Sequence, residues 1–144
     1  MSETIKAIMI DRVEKKISAS LKEITVGDLP EGDVTVNVAY STLNYKDGLA
    51  VSGTAPIART YPMIGGIDLA GTVESSSSPD YKPGDNVLIT GWELGMTHGG
   101  GYAQKQRVKS QWLTRVPEAF SLKQAMAVGT AGYTAMLCIL DLEH

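Results

Sequence analysis

Short apolar runs separated by turns containing proline and glycine fill the chain from Ala7 to Val108, and this spacing constrains the fold most. Within residues 34–39, valine alternates with polar or small residues, which is the period-two pattern of a half-buried strand. Turns at 28–33 and 82–85 each contain proline and glycine. Strands are predicted at 7–10, 34–39, 67–74, 87–89 and 102–108. The pattern predicts a mainly β fold, a small barrel or sandwich.

The pattern changes at Pro117 and predicts helices in the last segment. Ser121 and Gln124 fit a capping box, which predicts a helix that runs to about Val128. A small-residue stretch at 129–132 interrupts it. The apolar residues of a second helix recur at helical spacing, namely Tyr133, Met136, Leu137 and Leu140. We therefore predict a β domain over 1–120 and a helical segment over 121–144, together forming the front part of a larger protein.

Composition narrows the classes of partner. The formal net charge is −3, and no basic stripe with interleaved aromatic residues is present, so we expect no nucleic acid partner. No apolar run is judged long enough to span a membrane, so no membrane partner is expected. Cys138 is the only cysteine, which excludes an internal disulfide and favours a reducing, cytoplasmic location. On its helix, Cys138 is predicted to pack in the core.

The stretch Asn44-Tyr45-Lys46-Asp47 follows the strand at 34–39 and is the main candidate site. It places an amide, a phenol, an ammonium and a carboxylate at a predicted strand end. Tyr45 combines a flat apolar ring with a hydroxyl, a combination suited to packing beside a nicotinamide or ribose. The alternatives are half-buried packing for Tyr45 and pairing with other charges for Lys46 and Asp47.

Two more polar residues stand in apolar or small-residue surroundings. Asp68 lies within an apolar segment, and burying its carboxylate without partners would cost several kcal/mol. It either accepts structural hydrogen bonds or lines a site. Thr130, between Gly129 and Ala131, has a hydroxyl near the free amides of a helix start, and we predict that it faces a cofactor.

Metal and phosphate motifs are weak in this sequence. One cysteine and two histidines without ligand-like spacing argue against a zinc site, and His98 is expected at the surface or in loop packing. The triplet Gly99-Gly100-Gly101 precedes a predicted strand rather than a helix, so it predicts a tight strand connection instead of a phosphate-binding loop.

Five segments, taken in order, resemble the zinc-independent quinone oxidoreductase branch of the medium-chain dehydrogenases/reductases, and within it bacterial NADPH-dependent acryloyl-CoA reductases. They are residues 43–47, 61–64, 66–73, 84–87 and 129–135. The resemblance covers essentially the whole chain. It implies a GroES-like β-barrel catalytic domain that is normally followed by a Rossmann domain, which is missing here.

The resemblance also implies site roles. Tyr45 and Asn44 would be catalytic and would contact NADPH, with Lys46 and Thr130 as further cofactor-binding residues. Zinc-dependent relatives carry a cysteine near the position of Asn44 and a histidine-glutamate pair near Ile67-Asp68. Neither ligand set is present in this sequence, so no metal is expected.

The implied reaction of the full protein is hydride transfer from NADPH to the β-carbon of an α,β-unsaturated thioester such as acryloyl-CoA. Asn44 and Tyr45 are candidate donors to the enolate oxygen. The alternatives are an NADPH:quinone reductase of the same branch and a non-catalytic GroES-like interaction module. The full protein is expected to be a homodimer, and the 144 residues alone to be inactive. Candidates for contacts with the CoA phosphates are Lys46, Arg59, Lys105, Arg107 and Lys109.

Overall fold

A computed structural model describes residues 3–143 and shows a body of two antiparallel β-sheets that carries two helices. The strands are β1 Thr4–Val13, β2 Lys16–Thr25, β3 Val34–Tyr40, β4 Met63–Ile64, β5 Asp68–Ser76, β6 Asn86–Thr90, β7 Lys105–Val108 and β8 Thr114–Arg115. The helices are α1 Tyr45–Ser52 and α2 Leu122–Leu142. One sheet has the order β2-β1-β4 and the other β7-β3-β5-β6-β8. The predicted mainly β fold with C-terminal helical structure is confirmed.

The five-stranded sheet encloses the main core. Val34 and Val36 of β3 are fully buried while Asn37 is exposed, so the alternation in the sequence does reflect a two-faced strand. Leu69 and Ile89 of the neighbouring strands are also fully buried in the same cluster. Each such side chain contributes about 1.5–3 kcal/mol by burial. This core fixes the strands next to the site, because β5 begins at Asp68 and β3 ends at Tyr40, four residues before Asn44.

The strand β2 has no predicted counterpart in the sequence. It pairs along its whole length with β1, from Lys16 opposite Val13 to Thr25 opposite Thr4. Most of its side chains are exposed, because it is the edge strand of its sheet. An edge strand without a buried face lacks the apolar alternation that identifies a strand, and this explains the omission.

The glycine triplet packs backbone against backbone beside the start of β5. A Cβ atom on Gly100 would lie 2.2 Å from the carbonyl oxygen of Gly66, and one on Gly101 would lie 2.0 Å from the carbonyl oxygen of Asp68. Only glycine permits so close an approach. The triplet is therefore a tight connection leading to β7, as the sequence predicts.

The helix α2 starts at the predicted cap and bends at one residue. The backbone N–H of Gln124 donates to Ser121 Oγ at 3.2 Å, which confirms the capping box. The predicted interruption at 129–132 is confined to Gly129, whose φ of 50° and ψ of −161° are not helical, and the helix resumes at Thr130.

Beyond the kink, α2 is largely exposed. Tyr133, Met136, Leu137 and Leu140 share the predicted apolar face, and all four are exposed. Cys138 is exposed too, so its predicted core packing is wrong: within residues 3–143, nothing covers this part of the helix. The prediction identified the periodicity correctly but not the absence of a packing partner.

The length and composition of α2 also correct the expectation about apolar runs. Its most apolar 18-residue window has a mean hydropathy of 1.5, which is high enough for a membrane span, and 17% of that window is buried. Core helices of non-membrane proteins meet the same criterion, so the finding is weak evidence for a membrane.

Candidate functional site

The stretch 44–47 begins α1 and does not end a strand, which corrects the predicted placement. β3 ends at Tyr40, and Asn44 is the N-cap with extended backbone angles of φ −99° and ψ 161°. The Asp47 carboxylate accepts a hydrogen bond from the Asn44 backbone N–H at 2.8 Å. This cap satisfies a free amide and places a negative charge in the first turn of the helix. The helix start sets the position of the site residues.

The second oxygen of Asp47 anchors α1 to the segment before β5. Asp47 is buried, and its Oδ1 accepts from the Ile67 backbone N–H at 2.9 Å. Its partners are therefore backbone amides and not the predicted opposite charge. Lys46, which directly precedes Asp47, is exposed.

Asp68 lies at the centre of the site and accepts five side-chain or backbone hydrogen bonds. Its Oδ2 accepts from Thr42 Oγ1 at 2.7 Å, from Asn44 Nδ2 at 3.0 Å and from the Thr130 N–H at 2.9 Å. Its Oδ1 accepts from the Gly91 N–H at 3.1 Å and from Thr130 Oγ1. One carboxylate thus joins the 41–44 segment, the end of β6 and the kink of α2.

This network satisfies a fully buried charge. Asp68 is 0% exposed, and a carboxylate in that position is tolerated only when donors replace its water. Hydrogen bonds to a charged acceptor are also stronger than neutral ones. No buried side-chain nitrogen or oxygen within residues 3–143 lacks a partner. Of the two alternatives for Asp68, structural hydrogen bonding describes its contacts, and two of its partners are candidate site residues.

The amide of Asn44 is oriented by the same network. Its Nδ2 donates to Thr42 Oγ1 at 2.7 Å and to Asp68 Oδ2 at 3.0 Å, and these two acceptors are themselves hydrogen-bonded at 2.7 Å. Because a carboxylate only accepts, Nδ2 and not Oδ1 must face Asp68. The amide therefore has a fixed orientation, with Oδ1 on the side away from Asp68.

Tyr45 projects away from the body of the domain. Its side chain is 84% exposed, so the predicted alternative of half-buried packing does not describe it within the described residues. It borders a shallow depression together with Leu43, Asn44, Gly48 and Leu49. The phenol and the fixed amide of Asn44 therefore line one surface feature.

Tyr102 is a contributor that the sequence did not indicate. Its hydroxyl donates to the backbone carbonyl of Thr42 at 2.8 Å and so supports the segment that leads to Asn44. Burial is the main cause that raises the pKa of Tyr102, and the negative charges of Asp47 and Asp68 raise it further. The hydroxyl therefore remains a donor at neutral pH. In the sequence, only its position directly after the glycine triplet could have indicated this role.

Thr130 joins the network directly at the kink. Both its N–H and its hydroxyl donate to Asp68, so the hydroxyl oxygen can act toward another molecule only as an acceptor. A Cβ atom on Gly129 would lie 2.9 Å from Asp68 Oδ2 and 2.8 Å from Thr42 Cγ2. The positive φ and the close contacts both require glycine there. Asn44 and Thr130 thus both donate to the Asp68 carboxylate and lie close together in space.

His98 packs inside a loop, as expected. It is buried, its Nε2 lies 2.8 Å from the Arg107 carbonyl oxygen, and its ring meets Trp112 edge-on at a centroid distance of 5.0 Å. Burial is the main cause that lowers the pKa of His98. Among residues 3–143, no group of three or more His, Cys, Asp or Glu side chains is arranged to hold a metal ion.

Three of the five cations proposed for CoA phosphates have other contacts. Lys105 pairs with Glu3 at 2.7 Å and with Glu74 at 2.5 Å. Arg107 donates to the backbone carbonyls of residues 26 and 29. The Lys109 ammonium lies 4.7 Å from the ring centroid of Trp112.

The chain is similar to proteins of known family. Residues 30–118 match the family described as "Alcohol dehydrogenase GroES-like domain". The chain is 52% identical over 139 residues to the acrylyl-CoA reductase AcuI of Ruegeria pomeroyi, covering 95% of this chain and 42% of that protein. It is 44% identical to the putative quinone oxidoreductase YhfP of Bacillus subtilis, covering 100% of this chain and 44% of that protein.

Solved structures give the same picture. The YhdH oxidoreductase of Salmonella enterica in complex with NADP superposes with a TM-score of 0.94 at 48% identity, covering 96% of this chain and 43% of that one. Escherichia coli YhdH with bound NADPH superposes with a TM-score of 0.93, also at 48% identity, covering 95% and 42%. The chain thus spans less than half the length of these relatives.

Proposed function

The chain belongs to the family of alcohol dehydrogenase GroES-like domains, and on this premise we propose that its protein is an NADPH-dependent reductase of an α,β-unsaturated thioester such as acryloyl-CoA. The family match confirms the predicted resemblance and the GroES-like fold. The observation that carries the proposal is the exposed Tyr45 beside the fixed amide of Asn44, in a chain 52% identical to an acrylyl-CoA reductase. Similar structures hold NADP or NADPH, which supports the cofactor.

The chemistry of the available donors and acceptors fits a nicotinamide cofactor. Asn44 Oδ1 is an oriented acceptor suited to an N–H of a carboxamide, and the Tyr45 ring offers an apolar face. The exposed ammonium of Lys46 suits a phosphate. Thr130 would contribute its hydroxyl oxygen as an acceptor, since its hydrogen is donated to Asp68. NADPH, when bound, would supply the hydride.

Tyr45 and Asn44 take different roles in the proposed reaction. As the β-carbon of the thioester is reduced, negative charge moves to the thioester oxygen, and a proton is then added at the α-carbon. The hydroxyl of Tyr45 is the donor we assign to that oxygen. Asn44 is assigned to binding and orientation, because its amide nitrogen already donates within the protein, to Thr42 and Asp68.

The reaction assay compares substrates on the purified full-length protein, since the 144 residues alone are expected to be inactive. We expect NADPH oxidation with acryloyl-CoA at a kcat/KM above that for a short quinone. The reverse order would favour the second candidate, a quinone reductase, which the 44% identity to YhfP supports. No oxidation with either class would leave the non-catalytic GroES-like module. We expect a chelator to change none of these rates. The resemblance puts Asn44 near the position of a zinc-ligating cysteine and Ile67-Asp68 near a histidine-glutamate pair, and neither ligand set is present in this sequence.

The role of Tyr45 is tested by removing its hydroxyl. Tyr45→Phe is expected to lower kcat by about a hundredfold, the typical effect of losing one oxyanion donor. Tyr40→Phe is the matched control, because Tyr40 lies at the end of β3 and is not assigned to the site. A Tyr45→Phe variant with unchanged kcat would remove the hydroxyl from the mechanism.

A homodimer and a cytoplasmic location are also part of the proposal. The homodimer is carried over from the family resemblance, and a single cysteine fits a reducing compartment. Light scattering that gives a monomer mass at all concentrations would contradict the homodimer.

A further inference from the structure

A second cavity, lined by three cations and no carboxylate, lies at the opposite end of α1 from Tyr45. It has a volume of about 660 Å³, within the usual range for ligand cavities. The β1–β2 hairpin contributes Arg12 and Lys15, and the loop after α1 contributes Arg59. The formal net charge of the whole chain is −3, so this concentration of positive charge runs against the overall balance.

Among residues 3–143, these three cations have no ion-pair partner. Within the part of the chain that the structure describes, none of them lies within 4.0 Å of a carboxylate, whereas Lys22, Lys105 and Arg115 each do. Their positive potential is therefore not neutralised locally, and such a concave surface concentrates anions. Phosphate is an anion that arginine binds through two parallel hydrogen bonds and that lysine binds as a point charge.

The cavity has ordered walls. The Arg12 Nε donates to the Glu14 carbonyl at 3.1 Å, and its guanidinium carbon lies 5.9 Å from the ring centroid of Tyr61. The backbone N–H of Arg59 donates to the Met96 carbonyl at 2.8 Å, which anchors its loop. These contacts hold Arg12 near the aromatic ring of Tyr61 and fix the backbone of Arg59. A nucleobase can stack against that ring.

The helix α1 connects this cavity to the proposed active site. It has eight residues, from Tyr45 to Ser52, and its C-cap Gly53 lines the cavity. A helix of that length spans about 12 Å. We propose that the cavity binds the phosphates at the nucleotide end of an acyl-CoA, with the pantetheine arm lying along α1; this rests on the proposed function. Of the residues predicted from the sequence to contact the CoA phosphates, this proposal keeps Arg59, and it adds Arg12 and Lys15.

The test uses a double variant, Lys15→Gln with Arg59→Gln, and two thioesters. KM for acryloyl-CoA should rise about tenfold or more, because each tenfold corresponds to about 1.4 kcal/mol, a typical value for one charge-assisted contact. The kcat/KM for S-acryloyl-N-acetylcysteamine, which lacks the nucleotide, should not change. Lys123→Gln, on the exposed side of α2, is the matched control. An unchanged KM for acryloyl-CoA would overturn the proposal.

Phosphate groups also occur in NADPH, and the assay separates the two sources. The double variant should keep its KM for NADPH, and a rise in that KM alone would overturn the assignment to CoA. If the protein reduces neither thioester, the proposed function fails, but binding of free CoA by calorimetry still tests the cavity. Binding by the unmodified protein that the double variant weakens supports the cavity assignment, and no binding overturns it.

Discussion

Two neighbouring regions, which meet at Thr130, differ in whether their side chains have partners. One is the hydrogen-bond network around Asp68, and the other is the outer half of α2, residues 131–142. In the network, a fully buried carboxylate has five donors, all from within the described chain. On the outer half of α2, Tyr133, Met136 and Leu137 remain exposed. The difference follows from the costs. An unpaired buried charge is prohibitive, whereas an exposed apolar side chain sacrifices only about 1.5–3 kcal/mol of potential burial.

Removing the carboxylate should have the largest effect. Asp68→Ala removes the acceptor of five hydrogen bonds from a buried site, and we expect the free energy of unfolding to fall by about 3–5 kcal/mol. Urea unfolding of the variant and the unmodified protein measures the difference. The control is Asp141→Ala on the outer half of α2, where an exposed carboxylate should change stability by less than about 0.5 kcal/mol. Equal effects at both positions would mean that the network is not as closed as its distances indicate.

Changing Gly129, the kink residue between the two regions, should have the next largest effect on the free energy of unfolding. Gly129→Ala places a Cβ 2.9 Å from Asp68 Oδ2 and keeps a backbone with a φ of 50°. We expect a loss of about 2–4 kcal/mol from backbone strain and the close contacts.

Gly48→Ala is the control for Gly129→Ala, measured by the same unfolding experiment. No atom lies within 4 Å of a Cβ built there, and the position is helical, so it should gain about 0.5–1 kcal/mol. A Gly129→Ala variant as stable as the unmodified protein would mean that the two halves of α2 can align without breaking the bonds to Asp68.

The pH dependence of stability tests the role of Tyr102, which supports the segment leading to Asn44. Its folded-state pKa is raised, so the folded state holds the proton more tightly than the unfolded one. Its contribution is therefore complete below the ordinary tyrosine pKa of about 10 and is lost as pH rises above it. Tyr102→Phe should lose about 1 kcal/mol at neutral pH and show a shallower decline above pH ~10.

Chemical unfolding at several pH values measures this decline. Tyr81 has a pKa raised chiefly by burial as well, so Tyr81→Phe should flatten part of the same decline. Identical pH profiles for Tyr102→Phe and the unmodified protein would exclude the proposed role of the Tyr102 hydroxyl.

The sequence predicted local structure where one segment determines it. Ser121 and Gln124 are three residues apart and form their cap without help from elsewhere. The alternation over 34–39 likewise marks β3. The helix α1 was missed, because eight residues with a glycine at position 48 give little periodic signal.

The site required contacts between distant segments. The sequence shows that Asp68 needs donors, but Thr42 and Thr130 reach it from positions 26 and 62 residues away. The orientation of the Asn44 amide follows from that carboxylate, and so no local pattern reveals which way the amide faces. The exposure of Cys138 depends on what covers α2, which a helical pattern alone does not specify.

The outer half of α2 should give the smallest effect of all. Leu140 is 43% exposed, and leucine and glutamine have similar helix propensities, so Leu140→Gln should change the free energy of unfolding by less than about 0.5 kcal/mol. Leu69→Ala, at a fully buried position of β5, provides the contrast and should lose about 2–5 kcal/mol. If Leu140→Gln instead lost more than about 1 kcal/mol, and light scattering showed a smaller assembly, the helix would be covered in solution by a second copy. The contrast would then lie in where the partner comes from, since the Asp68 network finds its donors within one chain while the apolar face of α2 would find its contacts between chains.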